Sequence, residues 1–182
     1  MVERLALEST RLRLRNWHDE DLGPLARLCA DPEVMRYNPT LMSRDECAAL
    51  MVQGRLHLLR NGFGLWALER KDTGSFIGYC GLVWSNLPKP TVELRWAMAC
   101  EQWGRGLIHE AAETVLKCAF GALGLDEVVA CAARLNEPAR QLLEELGMHP
   151  EPTPSFGHPN LPPEHPLHAQ VLYRLSRDDW QR

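Results

Sequence analysis

The stretch Trp103-Gly104-Arg105-Gly106-Leu107-Ile108-His109-Glu110-Ala111 follows a strand-like run, Val92 to Met98, and opens the strongest helical pattern in the chain. A glycine-containing turn at a helix start exposes several backbone N–H groups without intrahelical partners, at the positive end of the helix dipole. An anionic phosphate fits there, and glycine lets it approach the backbone. No Gly-Lys-Ser/Thr follows, so the turn places neither a lysine on a terminal phosphate nor a hydroxyl on its magnesium. Taken alone, two glycines before a helix also make a plain turn.

A second cluster invites metal chemistry. His158, Glu164, His165 and His168 lie within eleven residues. Their spacing matches no zinc motif, and prolines 159, 162, 163 and 166 keep the segment extended, so no metal is expected. The six cysteines, at 29, 47, 80, 100, 118 and 131, form no C-x-x-C pair and sit largely in apolar patterns. They read as reduced thiols of a cytoplasmic protein.

The elements that must position these residues follow from periodicity. Arg11 to Arg15 alternates strictly and reads as a strand with a solvated arginine face. Asp19 to Ala30 has helical spacing, and Asp31-Pro32-Glu33 looks like a cap with proline at a first helical position. Ser43-Arg44-Asp45-Glu46 is a capping box for a helix ended by Asn61-Gly62. Strands are predicted over Phe63–Leu68, Ser75–Trp84 and Thr91–Met98, the first two joined by the turn Lys71–Gly74 and the last two by a loop, Ser85–Pro90. Leu107 to Leu123 is a helix, Glu127–Ala133 a buried strand, and Asn136 caps a helix stopped by Gly147. Pro150 to Pro166 is a proline-rich loop before a closing strand, Ala169–Leu175. The order implies a mixed sheet with helices on its faces, an α/β fold of α+β-like kind, in a single domain spanning 1–182.

Composition narrows the function. With 182 residues, 45% hydrophobic, 24% charged and a net charge of -4, the chain can bury a core and is not a disordered polymer. No run of about 18 apolar residues exists to span a membrane. Met1 to Leu5 lacks the apolar core of a signal peptide. A pI near 6.0 argues against nucleic acid as the main partner and suits a neutral or cationic one.

One strand after the glycine turn comes Asn136-Glu137-Pro138-Ala139-Arg140, running to Leu146-Gly147-Met148. With the Trp103–Ala111 loop, with Leu7 to Arg15, Phe63 to Ala67, Ile77 to Leu82, His165-Pro166 and Val171 to Leu175, the chain resembles the GNAT acyl-CoA N-acyltransferase superfamily, specifically its RimJ/RimL-like branch. The resemblance covers nearly the whole chain. It implies a central, mostly antiparallel mixed sheet with a splayed strand pair, and acetyl-CoA as cosubstrate. It implies that the turn from Trp103, Gly104 and Arg105 through Gly106, Leu107, Ile108 and His109 holds the pyrophosphate by backbone N–H groups. Trp96, Ala97 and Met98 would present backbone groups to the pantetheine arm, Asn136 would bond its amide, and Arg140 would lie near the nucleotide.

Acetyl transfer to an amine needs a neutral nucleophile, and a substrate ammonium has a pKa near 10. Glu93, on the strand beside the implied cleft and on one face with Arg95 and Ala97, is the candidate base. The plainer account is a solvated or arginine-paired carboxylate. The Met98 N–H is the expected donor to the thioester oxygen. Trp66, Trp84 and Trp96 would line an acceptor pocket or simply fill the core, and the late proline-rich loop would edge it. Glu110 complements the helix dipole, a sufficient reason for it, and His109 reads as solvent-facing.

The chain departs from the superfamily at Trp103, where Arg or Gln is frequent, and at Ile108, where Gly or Ala is usual. Leu143 stands where many members carry a general-acid tyrosine. The resemblance therefore implies an N-acetyltransferase acting in a ternary complex on a small amine or a protein N-terminus. A non-catalytic acyl-CoA-binding module on the same fold is the alternative. A homodimer is the default expectation.

Overall fold

The structure, a computed structural model, describes residues 6–87, 89–152 and 156–181. Its strands are β1 (Leu7–Glu8), β2 (Leu12–Arg15), β3 (Leu65–Arg70), β4 (Phe76–Asn86), β5 (Pro90–Met98), β6 (Glu127–Ala133), β7 (His149–Pro150) and β8 (Gln170–Ser176). Its helices are α1 (Leu22–Cys29), α2 (Arg44–Asn61), α3 (Leu107–Phe120), α4 (Glu137–Glu145) and α5 (Arg177–Trp180). The strands are ordered β1-β2-β3-β4-β5-β6-β8-β7. The described pairings are antiparallel except β5 with β6, which is parallel with a single register pair, Glu93 opposite Val129. The mixed, mostly antiparallel architecture expected from the sequence is thus present.

The chain forms two compact units. One holds residues to Arg36, Thr40–Val83 and Leu94–Val115; the other holds Tyr37–Pro39, Trp84–Glu93 and the chain from Leu116 onward. In the first, α1 packs on α2 and α2 on β3. Leu12, Leu14, Leu25, Leu58, Trp66 and Leu68 are at most 1% exposed and form its core. The Ser43 hydroxyl accepts the Glu46 N–H while the Glu46 carboxylate accepts the Ser43 N–H, so α2 starts on its capping box. It ends at Gly62, whose φ of 72° few other residues would adopt. The wet face of β2 is not simply solvated. Arg13 and Arg15 both donate to Glu69 on β3, and Arg15 also forks onto the nearly buried Asp21.

In the second unit β6 and β8 pair along their whole length, α4 packs on β6 and α5 on β8. Val128, Val129, Ala130, Leu143 and Tyr173 are fully buried there.

Three local expectations need correction. Asp31-Pro32-Glu33 opens a turn, not a helix: Asp31 Oδ1 accepts the Glu33 N–H at 2.9 Å, and Asn38-Pro39 soon stops any continuation. The predicted 107–123 helix ends at Phe120, ahead of Gly121. The Ser85–Pro90 loop is shorter, because β4 runs to Asn86 and β5 begins at Pro90, where a strand's first residue needs no donor; Pro88 lies outside the described residues. So do residues 153–155 of the proline-rich loop, which elsewhere makes an antiparallel bridge from Gly157 to Ala169. The short β1, β7 and α5 carried no periodic signal.

Candidate active site

Strand β5 leads through a 3-10 turn, Cys100–Gln102, into Trp103 and the glycine turn. Gly104 and Gly106 both sit at φ 72°, the left-handed region that an L side chain adopts only at a cost. The pair reverses the chain so that α3 begins at Leu107. Leu107 is 3% exposed and belongs to the core. Ile108 and His109 are half-buried, and Arg105 is exposed. The exposed Trp103 ring is held by its own N–H, which donates to the Met98 carbonyl at 2.9 Å. Behind Met98, β4 comes very close: a Cβ on Gly78 would stand 2.2 Å from the Ala97 carbonyl oxygen. The backbone at Ala97 and Met98 is therefore held by Trp103 and closely approached by β4.

Glu110, one turn into α3, does more than complement a dipole. Its carboxylate accepts the Ser9 hydroxyl at 2.6 Å, the Arg11 N–H at 2.7 Å and the Arg11 Nε–H at 2.7 Å. Partial burial works against its ionisation, but these donors outweigh that and hold its carboxyl below the usual range. Arg11 Nη1 also donates to the Arg105 carbonyl at 2.8 Å. Alternation alone puts Arg11 on a wet strand face and does not show this contact. The pattern carried one hint, the Ser9-Thr10 break just before the alternation begins.

In the second unit, Glu93 is 5% exposed, so it is not a solvated carboxylate. In the first unit, which takes β5 from Leu94 onward, Arg95 is exposed, while Trp96 and Ala97 are half-buried. In the second unit, Asn136 Oδ1 accepts the Ala139 N–H at 3.2 Å and caps α4. Arg140 donates through Nε to the Tyr173 hydroxyl at 3.1 Å and through Nη1 to the Arg134 carbonyl at 3.3 Å. That tyrosine hydroxyl in turn donates to Glu144 at 3.0 Å. Burial pushes the Tyr173 phenol up; Arg140 opposes the shift and Glu144 adds to it. Leu143 is fully buried, so the position expected of a general-acid tyrosine is a core leucine.

The tryptophans divide. Trp66 is 1% exposed and is core, whereas Trp84 is 57% exposed. The late histidines close local turns. His158 Nδ1 accepts the Asn160 N–H, His165 Nδ1 accepts the Leu167 N–H, and His168 Nδ1 lies 2.8 Å from the Leu161 carbonyl. No group of three or more His, Cys, Asp or Glu is arranged to hold a metal ion among the described residues. No helix there is long and apolar enough to cross a membrane.

Comparison with known proteins gives this geometry a context. Residues 11–149 match the family model described as an acetyltransferase (GNAT) domain. The uncharacterized N-acetyltransferase YoaA of Bacillus subtilis is 31% identical over 147 residues, 80% of this chain and 83% of that one. The uncharacterized protein YkkB of the same organism is 30% identical over 151 residues, 82% of this chain and 88% of its own length. Among solved structures, spermidine N-acetyltransferase from Vibrio cholerae, in complex with CoA and spermine, superposes with a TM-score of 0.75 at 20% identity. That alignment covers 96% of this chain and 100% of the other. The strand, the double-glycine turn and the helix it opens stand within the matched region, and the chain belongs to the GNAT acetyltransferase family, as an acetyl-CoA-dependent acyltransferase.

Proposed function

We propose that the protein moves the acetyl group of acetyl-CoA to a primary amine, borne by a small molecule or a protein N-terminus, by direct attack in a ternary complex. The observation that carries this reading is the turn at Gly104 and Gly106, both at φ 72°, immediately before α3. The N–H groups of Arg105–His109 would hold the pyrophosphate. Backbone groups of Trp96–Met98 would pair with the pantetheine arm. Asn136 spends its side-chain oxygen on the helix cap, which leaves its amide nitrogen as the donor to a pantetheine carbonyl. The Arg140 guanidinium, steadied by Tyr173, would lie toward the nucleotide. On this reading the chain is a RimJ/RimL-like member, acts as one domain over 1–182, works in the cytoplasm, where its cysteines stay free thiols, and pairs as a homodimer.

The chemistry follows from charge. Glu93 accepts the proton of the substrate ammonium, directly or through a water, and frees the lone pair of the amine. That nitrogen attacks the thioester carbonyl, whose oxygen gains negative charge and is met by the Met98 N–H. Collapse breaks the C–S bond and releases coenzyme A thiolate, and the nitrogen passes its second proton to water, which leaves the neutral amide. Thiols ionise near pH 8.5, so the thiolate leaves without a dedicated acid and takes its proton from solvent. This suits a chain with leucine at 143. The test is thiol release from acetyl-CoA with a panel of diamines, aminosugars and peptides with free N-termini, for the parent and for Glu93→Gln. The best acceptor should turn over about 10²–10⁴-fold more slowly with the variant. A variant within threefold of the parent at every pH removes Glu93 from the mechanism.

A further inference from the structure

We propose that Arg11 is a positioning residue for coenzyme A, setting the direction of the Gly106 N–H through its grip on the Arg105 carbonyl and balancing the charge of Glu110; the proposal rests on the coenzyme A site proposed above. Hydrogen bonds tie the corner between β1 and β2. Ser9 N–H donates to the Leu12 carbonyl at 3.0 Å, and Leu12 N–H returns to the Ser9 hydroxyl at 3.2 Å. Lys71 donates through Nζ to the Ser9 carbonyl at 2.7 Å and to Glu8 at 2.9 Å, and its N–H donates to the Arg11 carbonyl at 2.9 Å. Arg11 thus projects from a corner tied on both sides.

Its guanidinium spans two targets. Nε reaches Glu110 and Nη1 reaches the Arg105 carbonyl, while Nη2 lies 3.5 Å from where a Gly106 Cβ would stand. The Arg105 carbonyl and the Gly106 N–H belong to one peptide plane. In a trans peptide they point in opposite directions. Holding the carbonyl toward Arg11 therefore aims the Gly106 N–H away from it. Glycines lose the most conformational freedom on ordering, so a turn with two of them gains most from such a tether.

Charge makes a second contribution. An ionised Glu110 in the first turn of α3 opposes an incoming pyrophosphate, and Arg11 pairs with it at 2.7 Å. The Arg11 side chain is 49% exposed. The Glu110 side chain is 16% exposed, but it keeps the Ser9 hydroxyl and the Arg11 backbone N–H when the Arg11 side chain is shortened. Removing the pair should therefore show in binding more than in folding.

The test is calorimetric titration of coenzyme A into the parent, Arg11→Met, Arg11→Lys, Glu110→Gln and the Arg11→Met/Glu110→Gln double variant, with Tm and steady-state kinetics for each. Arg11→Met should weaken coenzyme A by about 10- to 30-fold. It should raise KM for acetyl-CoA to match and leave kcat within about threefold. Lysine keeps the charge but cannot span both targets, so Arg11→Lys should recover only part of the loss. The double variant should bind better than Arg11→Met, because the uncompensated carboxylate is gone. A folded Arg11→Met or Arg11→Lys variant that binds within twofold of the parent overturns the proposal while leaving the site reading intact. A parent that does not bind coenzyme A removes the site itself.

Discussion

Replacing Gly106 by valine separates the fold of the turn from its function. Gly106 sits at φ 72°, and a Cβ there would meet only Arg11 Nη2, at the ordinary contact distance of 3.5 Å. The substitution therefore meets no hard obstacle, and its cost is conformational. A left-handed conformation costs a non-glycine residue about 1–2 kcal/mol, and a β-branched residue sits at the upper end. About 2 kcal/mol corresponds to a Tm loss of about 4–8 °C for a chain of this size. The chain should still fold. If the free variant relaxes the turn, coenzyme A must rebuild it, and 2 kcal/mol then equals about 30-fold in affinity. The valine methyls add to this wherever they stand between phosphate and backbone. Gly106→Ala measures the conformational part with less bulk, about 5- to 30-fold. Thermal unfolding gives the first number and calorimetry with coenzyme A the second, with ATP as a ligand lacking the pantetheine arm. A folded Gly106→Val protein with both the parental Tm and the parental affinity for coenzyme A would refute the reasoning and move the phosphate site elsewhere.

Two further expectations concern the scaffold. Arg15 forks onto Asp21, whose side chain is 4% exposed, so Arg15→Ala should leave an uncompensated carboxylate and cost about 3–5 kcal/mol by denaturant titration at pH 7. Burial raises the Asp21 pKa, but Arg15 and the His18 N–H outweigh it, so the folded value lies below the unfolded value of about 3.9. The stability Asp21 contributes is thus present above that pH and lost as pH falls through the folded value, and the difference between parent and Arg15→Ala should shrink below about pH 4. Asn136→Ala should cost about 0.5–2 kcal/mol through the lost α4 cap, measured the same way, and weaken coenzyme A as well if its amide nitrogen serves the pantetheine arm.

Much of this arrangement is legible in the residue pattern because local rules decide it. The capping box at Ser43, the stop at Gly62, the extent of Glu127–Ala133 and the Asn136 cap each depend on neighbours within a few residues. The glycine turn is visible for the same reason, since its conformational demand lies in Gly104 and Gly106 themselves. Asp31-Pro32-Glu33 misleads because its cap is real but the helical run it would start is cut short at Asn38-Pro39. What the pattern hides is tertiary. Arg11 and Glu110 are 99 residues apart, and no periodicity announces that they meet. Glu93 reads as a base beside a cleft or a solvated carboxylate, yet it is buried, because both faces of β5 are covered from Thr91 to Leu94. Tyr173 lies in a strand that reads as core, and its hydroxyl gains a polar role only from Arg140 and Glu144 on α4.

Amide hydrogen exchange with and without acetyl-CoA reads the coenzyme A site at the backbone groups assigned to it. The first N–H groups of α3 lack intrahelical partners, so they exchange freely until a ligand accepts them. Saturating acetyl-CoA should slow exchange at Arg105–His109 and at Trp96–Met98, and ATP should do so far less at Trp96–Met98. Saturated binding with unchanged exchange in both segments would contradict that assignment.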